Sequence, residues 1–282
     1  NAQIISCDSM QVYKGMDILT SKPSRQDRLK VKHYCIDFVP QAAEYNVSQY
    51  RRLAIKHARA ILAKGKVPLF VGGTGLYMSV LVDGIFEMKA EDEDVRKKLY
   101  RTAARRGSYA LYKRLLRVDP VAATKIHPND TRRLVRALEV YEVTGKPITQ
   151  LQKTRRGLAS EFDVRIFCLD LEREELYKRI NSRVDLMSER GLISQVRRLS
   201  EKRLSRTAGA AIGIKEVKGY LSGSYSLEEA KELMRRNTRN YARRQLTWFR
   251  KDKRIEWVRV DPADNAIRIS AKIIKRLDRW NG

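Results

Sequence analysis

Two apolar runs, each opening into a loop of polar and glycine residues, constrain this chain more than any other feature. Ile4-Ile5 leads into Ser6-Cys7-Asp8-Ser9-Met10-Gln11-Val12-Tyr13, and Val67-Pro68-Leu69-Phe70-Val71 leads into Gly72-Gly73-Thr74-Gly75-Leu76-Tyr77. Short apolar runs of this kind read as buried parallel strands, and open α/β sheets place ligand sites at the carboxyl ends of such strands. Between the two lies a helix. Asn46 and Gln49 have the spacing of a capping box, and Val47, Tyr50, Leu53, Ala54, Ala58, Ile61 and Leu62 share one helical face before Lys64-Gly65-Lys66 ends it. Strand, helix, strand is a βαβ unit with a right-handed crossover. His33 to Phe38 reads as a further short strand.

The pattern changes near Met88. From about Glu91 to Arg156 the chain shows charged helical periodicity and no strand, with one clear helix from Asp130 to Val140 and a stop at Gly145 and Pro147. Val164 to Leu171 then reads as a strand returning to the sheet, and Ile255 to Val258 as one more. The expected architecture is α/β: a parallel sheet flanked by helices over 1–87 and 161–282, with a helical insertion over 88–160 and a helical C-terminal region.

Charge narrows the partner. Among 282 residues, 59 are Lys or Arg and 33 Asp or Glu, a formal net charge of +26. Such an excess favours a polyanion through counterion release. Nucleic acid is preferred over lipid, because no strongly amphipathic terminal helix is evident and no apolar run approaches the roughly 20 residues of a membrane span. No basic-then-apolar leader is evident either, so the expected location is cytoplasmic. Cys7, Cys35 and Cys168, like His33, His57 and His127, are scattered. Neither a disulfide framework nor a zinc site is expected.

On the residues alone, Asp8 has two roles open to it: capping a turn with its carboxylate, or taking a proton from a substrate amine or hydroxyl. Gly72 and Gly73 are equally open, as ordinary turn residues or as a close backbone approach to an anion. Thr74 could be a turn hydroxyl, and Arg183 a surface residue on an amphipathic helix. Arg235, Arg239, Arg243 and Arg250 share a stripe interleaved with Tyr241, Trp248 and Phe249. That pattern suits phosphate contact plus base stacking, or a solvated basic face.

The ordered combination is more specific. Asp8 to Ile18, Val71 to Tyr77, His127-Pro128-Asn129-Asp130 with Arg132 to Glu139, Ala211 to Glu216, and Arg243-Arg244-Gln245-Leu246-Thr247-Trp248-Phe249-Arg250 resemble the tRNA dimethylallyltransferase (isopentenyltransferase) family over nearly the whole length. The resemblance implies a P-loop-NTPase-like core and transfer of a dimethylallyl group from dimethylallyl diphosphate. The acceptor it implies is the exocyclic N6 amine of the adenosine 3′ of a tRNA anticodon. It implies Asp8 as general base, Thr74 where the two substrates meet, and Arg183 with Thr74 on the donor diphosphate. It further implies tRNA contacts from Asp8, Ser9, Met10 and Gln11, from Arg132, Arg133 and Arg136 of the insertion, and from Ile212, Gly213 and Lys215. The last group is Arg239, Arg243, Arg244, Gln245, Thr247, Trp248 and Arg250. The target base must be extruded from its stack. Mg2+ is the implied cofactor, the tRNA anticodon stem-loop the implied partner, and a monomer the expected state.

One departure stands out: the family's G-x-x-x-x-G-[KR]-[ST] run does not occur in these residues. The expectation is that the first strand and its phosphate cradle are absent by truncation, leaving residues 1–282 alone inactive or poorly soluble. Three other readings stay open on sequence: an adenylate isopentenyltransferase, a P-loop small-metabolite kinase, and a non-catalytic RNA-binding remnant.

Overall fold

The computed structural model describes residues 1–86 and 92–278, so the expected boundary at 87/88 lies outside the described residues. Two compact units emerge, one of Asn1–Leu81 with Asp163–Gly282 and one of Val82–Phe162. In the first unit β1 (Ala2–Ser6) is the centre of a parallel three-stranded sheet, between β2 (His33–Tyr34) and β3 (Val67–Val71). The β1–β3 register pairs Ile5 with Phe70 and Ser6 with Val71, so both loops leave the sheet side by side. The crossover helix α1 (Val47–Leu62) starts at Asn46, whose side chain accepts from Gln49 N–H while Gln49 reaches back, and it buries Tyr50, Ala54, Ala58 and Ile61. Helix α2 (Gly75–Val82) follows β3 directly.

β2 is shorter than the sequence suggests. Cys35 and Asp37 adopt left-handed backbone, φ 58° and 59°, which an extended ladder does not accommodate. The chain turns there, and Phe38 and Val39 hydrogen-bond instead to Val12. β3 also buries less than its apolar run implies. Val67, Leu69 and Val71 are 61%, 49% and 48% exposed, and only Pro68 and Phe70 are half-buried.

The second unit is helical. Its helices α3 (Glu93–Arg106), α4 (Ser108–Val118) and α5 (Thr131–Thr144) pack together around Leu99, Leu111, Leu115, Leu134 and Leu138. Asp130 caps α5 by accepting from Arg133 N–H, and Gly145 ends it in left-handed conformation. Buried Glu139 holds Arg96 at 3.0 Å and Arg136 at 3.1 Å.

Back in the first unit, β4 (Ile166–Leu171) does not rejoin the first sheet. It pairs along its length with β5 (Ile255–Val260) in a separate parallel pair. Helices α6 (Arg173–Glu189), α7 (Leu192–Ser200), α8 (Ile214–Leu221) and α9 (Leu227–Phe249) pack in neighbouring pairs. Val12, Tyr13, Met16 and Leu19 enter their core with Met187, Leu192, Val196, Val217 and Met234, which ties the loop after β1 to the helices. The last helix, α10 (Ala266–Asp278), is amphipathic after all. Its Ile267 and Ile274 are 78% and 55% exposed.

That same loop is pinned by an ion cluster. The side chain of Lys22 is 1% exposed and lies 3.1 Å from Asp17 and 2.5 Å from Asp37, with Tyr13 O accepting at 2.6 Å. Burial pushes the Asp37 pKa up, but the hydrogen bond and charge of Lys22, with Arg28, outweigh it and the net shift is downward. Lys22→Met should therefore cost about 2–3 kcal/mol at neutral pH, less than a fully buried pair because both carboxylates keep water contact. A lowered carboxyl pKa stabilises fully above its unfolded value and is lost as pH falls through the folded one. Urea unfolding should show the gap between variant and parent complete above about pH 4 and narrowing below it.

Candidate active site

The loops after β1 and β3 are fused by backbone contact. Cys7 N–H donates to Val71 O at 2.7 Å, and Thr74 N–H returns to Cys7 O at 3.2 Å. A methyl group at Gly72 would overlap the Cys7 backbone; one at Gly73 would overlap the Gln245 amide, and one at Gly75 the Trp248 indole. On their side-chain side these glycines make room for protein atoms.

Asp8 caps its own turn. Its Oδ1 accepts from Met10 N–H at 2.7 Å and Gln11 N–H at 3.3 Å, so the carboxylate shapes its own turn. Its Oδ2 has no hydrogen-bond partner among the described residues, and the side chain is half-buried. Thr74 joins the loops: its Oγ1 accepts from Ser9 N–H at 3.0 Å, and Ser9 Oγ is 3.4 Å away. Beneath them, burial pushes the Cys7 thiol up to about 12, against a smaller opposing effect of the nearby Tyr50. Cys7 is a packing group and not a nucleophile.

Arg183 comes to the same place from α6. Its Nε donates to Ser21 Oγ at 2.9 Å. The guanidinium has an exposed side, yet surrounding protein displaces enough water to lower its pKa, while the charge of Asp8 acts the other way. Gln11, expected to line the acceptor pocket, is largely engaged within the protein. Its Oε1 accepts from Ser6 Oγ at 3.1 Å, and its Nε2 donates to Thr20 O and Ser21 O at 3.3 and 3.4 Å. Ser21 and Lys22 were not legible as site residues, because their roles arise from a left-handed Ser21 (φ 47°) and partners distant in sequence.

The arginine stripe of α9 divides. Arg235 pairs with Asp185, Glu228 and Glu232. Arg239 pairs with Glu232 at 2.7 Å and donates to Asn181 at 3.0 Å, so its charge is satisfied internally. Arg243, Arg244, Thr247, Trp248 and Arg250 remain exposed. Arg243, Thr247 and Arg250, with Arg173, Arg259 and Tyr177, border a cavity of about 540 Å3 beyond the ends of β4 and β5. Gln245 is half-buried and donates to Gly73 O at 2.8 Å, a structural bond. On the neighbouring α8 loop, Gly213 is buried with φ 104°, Ile212 half-buried and Lys215 exposed. Buried Glu216 holds this loop by accepting from Gly213 N–H at 2.7 Å and from Asn237 at 2.6 Å.

In the second unit, Arg132 is exposed, Arg133 lies 3.4 Å from Asp130, and Arg136 is committed to Glu139. Among the described residues no three His, Cys, Asp or Glu side chains gather as a metal cage. No described helix is long and apolar enough to cross a membrane.

Gly72→Ala should cost about 2–3 kcal/mol in urea unfolding, because the new methyl meets backbone that has nowhere to go. Gly209→Ala, whose methyl would meet only Leu204 Cβ at 3.9 Å, should stay within about 1 kcal/mol.

The sequence profile of a family described as IPP transferase matches residues 11–252. A tRNA dimethylallyltransferase of Halothermothrix orenii is 44% identical over 267 residues, 94% of this chain and 81% of the relative. The crystal structure of a tRNA isopentenylpyrophosphate transferase from Bacillus halodurans matches with TM-score 0.68 and 35% identity, over 100% of this chain and 91% of that one. A eukaryotic dimethylallyltransferase acting on tRNA matches with TM-score 0.81 and 28% identity, over 98% of this chain and 71% of that one.

Proposed function

Since the chain belongs to the IPP transferase family, we propose that it transfers a dimethylallyl group from dimethylallyl diphosphate to the N6 amine of the adenosine 3′ of the anticodon in tRNA. The observation that carries this reading is the divided carboxylate of Asp8, one oxygen holding its turn and the other without a hydrogen-bond partner among the described residues, on the loop that Thr74 binds and near enough to Arg183 to act on its charge. An adenine amine is a weak nucleophile. As its nitrogen bonds to C1 of the donor, Asp8 Oδ2 takes the N–H proton, the C1–O bond breaks, and diphosphate leaves with the bonding electron pair. Arg183 and the Thr74 hydroxyl face the oxygens that gain charge. Magnesium enters this reading only as an ion carried by the diphosphate, and no step is assigned to it.

The base reaches this site by extrusion from the anticodon loop. Its backbone is met by the exposed Arg243, Arg244 and Arg250, with Lys215; the exposed Arg132 of the helical unit is a separate tRNA contact in this reading. Arg239 and Arg136 contribute less, because each already neutralises a carboxylate. A net charge of +26 supports a macromolecular polyanion over a free nucleotide. A monomeric state and a cytoplasmic location belong to the same reading.

Intact protein with tRNA and labelled dimethylallyl diphosphate should yield labelled tRNA. Labelling of AMP alone would replace this reading with the adenylate enzyme. Asp8→Asn should lower kcat at least a hundredfold, in the range expected for loss of a general base, with tRNA affinity nearly unchanged. Equal rates would remove Asp8 from the chemistry. Arg250→Ala should weaken tRNA binding and flatten its salt dependence by about one unit of slope, whereas Arg239→Ala should change the slope less.

A further inference from the structure

Ser21 holds left-handed backbone, φ 47°, without being a glycine. Such a conformation persists only where its surroundings impose it. Here they do. Ser21 N–H donates to Ile18 O and Lys22 N–H to Asp17 O, both at 3.0 Å. Gln11 Nε2 adds its bonds to Thr20 O at 3.3 Å and Ser21 O at 3.4 Å. A glycine would make the same turn at less cost, so the serine side chain has a reason of its own. Its Oγ accepts from Arg183 Nε at 2.9 Å. Val184, the next residue of α6, shares a core with Met16 and Leu19, so helix and turn meet at a fixed place.

A guanidinium can form paired, parallel bonds through two edges: end-on through its terminal nitrogens, or side-on through Nε and one of them. Among the described residues no other hydrogen bond or ion pair holds Arg183. We propose that Ser21 is a positioning residue for the prenyl donor: by taking the Nε–H of Arg183, its hydroxyl oxygen closes the side-on edge and leaves the two terminal nitrogens to grip the diphosphate end-on. Gln11 ties this grip to the base. Its backbone N–H donates to Asp8 Oδ1 at 3.3 Å, while its side chain holds the carbonyl of Ser21. One residue thus joins the turn of the carboxylate to the turn behind the arginine.

Arg183 is exposed, and a long exposed side chain loses rotamer freedom when it closes on a ligand. The bond from Nε to Ser21 removes part of that freedom before the donor arrives. The diphosphate then meets a fork whose plane is already set, and its hold strengthens as charge grows on the leaving oxygens. Ser21 itself moves no proton and forms no bond to carbon.

The inference rests on the prenyl-transfer reading, which makes Arg183 a ligand of the diphosphate. Its test is the Kd for dimethylallyl diphosphate, measured by calorimetry with magnesium and without tRNA on the intact protein and its variants. Ser21→Ala should weaken that Kd about fivefold, the worth of one hydrogen bond, and leave the Kd for tRNA within about twofold. Ser21→Gly removes the same oxygen but suits the left-handed backbone better, so it should show the same donor loss with a higher Tm than Ser21→Ala. Lysine at 183 keeps the charge and has no Nε edge. In an Arg183→Lys background Ser21→Ala should therefore add less than about twofold. An unchanged donor Kd in Ser21→Ala overturns the inference, as does a loss that follows Tm between the Ala and Gly variants. A full loss that persists in Arg183→Lys also overturns it, because the serine would then touch the donor directly. Each of these outcomes leaves labelling of tRNA by the intact protein in place, whereas an intact protein that labels no tRNA overturns the reading beneath.

Discussion

The site depends on one close approach, the backbone of Gly72 lying against that of Cys7. Strand pairing brings Ser6 opposite Val71, and the two hydrogen bonds of Cys7 carry the pairing one residue beyond the ladder. Only then can Thr74 reach across to Ser9 and set the turn that Asp8 closes on itself. A side chain at residue 72 would part the loops and separate the Thr74 hydroxyl from the Asp8 carboxylate, the two groups that the proposed reaction brings to one pair of substrates. The glycines therefore serve chemistry indirectly, through proximity.

Charge in this protein is divided by function. Lys22, Arg235 and Arg239 are spent on internal carboxylates, where they fix a loop or join helices. Arg243, Arg244 and Arg250 lie farther along the same α9 and remain exposed. One helix thus anchors itself at its amino-terminal half and offers cations at its carboxyl-terminal half. Exposed arginines are poor stabilisers of a fold but good phosphate ligands, which suits a surface that must close on RNA.

Local signals were legible in the sequence. Asn46 with Gln49 marked the start of α1, and Asp130 and Gly145 bracketed α5; Asp8 and Thr74 drew notice through the family resemblance of their loops. What escaped depends on partners distant along the chain. Nothing near residue 35 announces the left-handed turns that end β2, because Lys22 holds Asp37 from outside that segment. The apolar face of β4 fits any parallel neighbour, so its pairing with β5 could not be told from a return to the first sheet. Arg239 and Arg243 look alike in sequence, and the contacts with Glu232, two turns back on the same face, and with Asn181 distinguish a paired guanidinium from an exposed one. Adjacent glycines likewise say that something comes close without saying what.

The central claim is that one carboxylate divides its oxygens between structure and chemistry. The direct test is a crystal structure of the protein with a tRNA anticodon stem-loop and a non-reactive thio analogue of dimethylallyl diphosphate. The account predicts the adenine N6 within about 3 Å of Asp8 Oδ2, with Oδ1 still accepting from the Met10 and Gln11 amides. An N6 beyond hydrogen-bond reach of either oxygen, with the turn intact, would contradict it and return Asp8 to a turn-capping role.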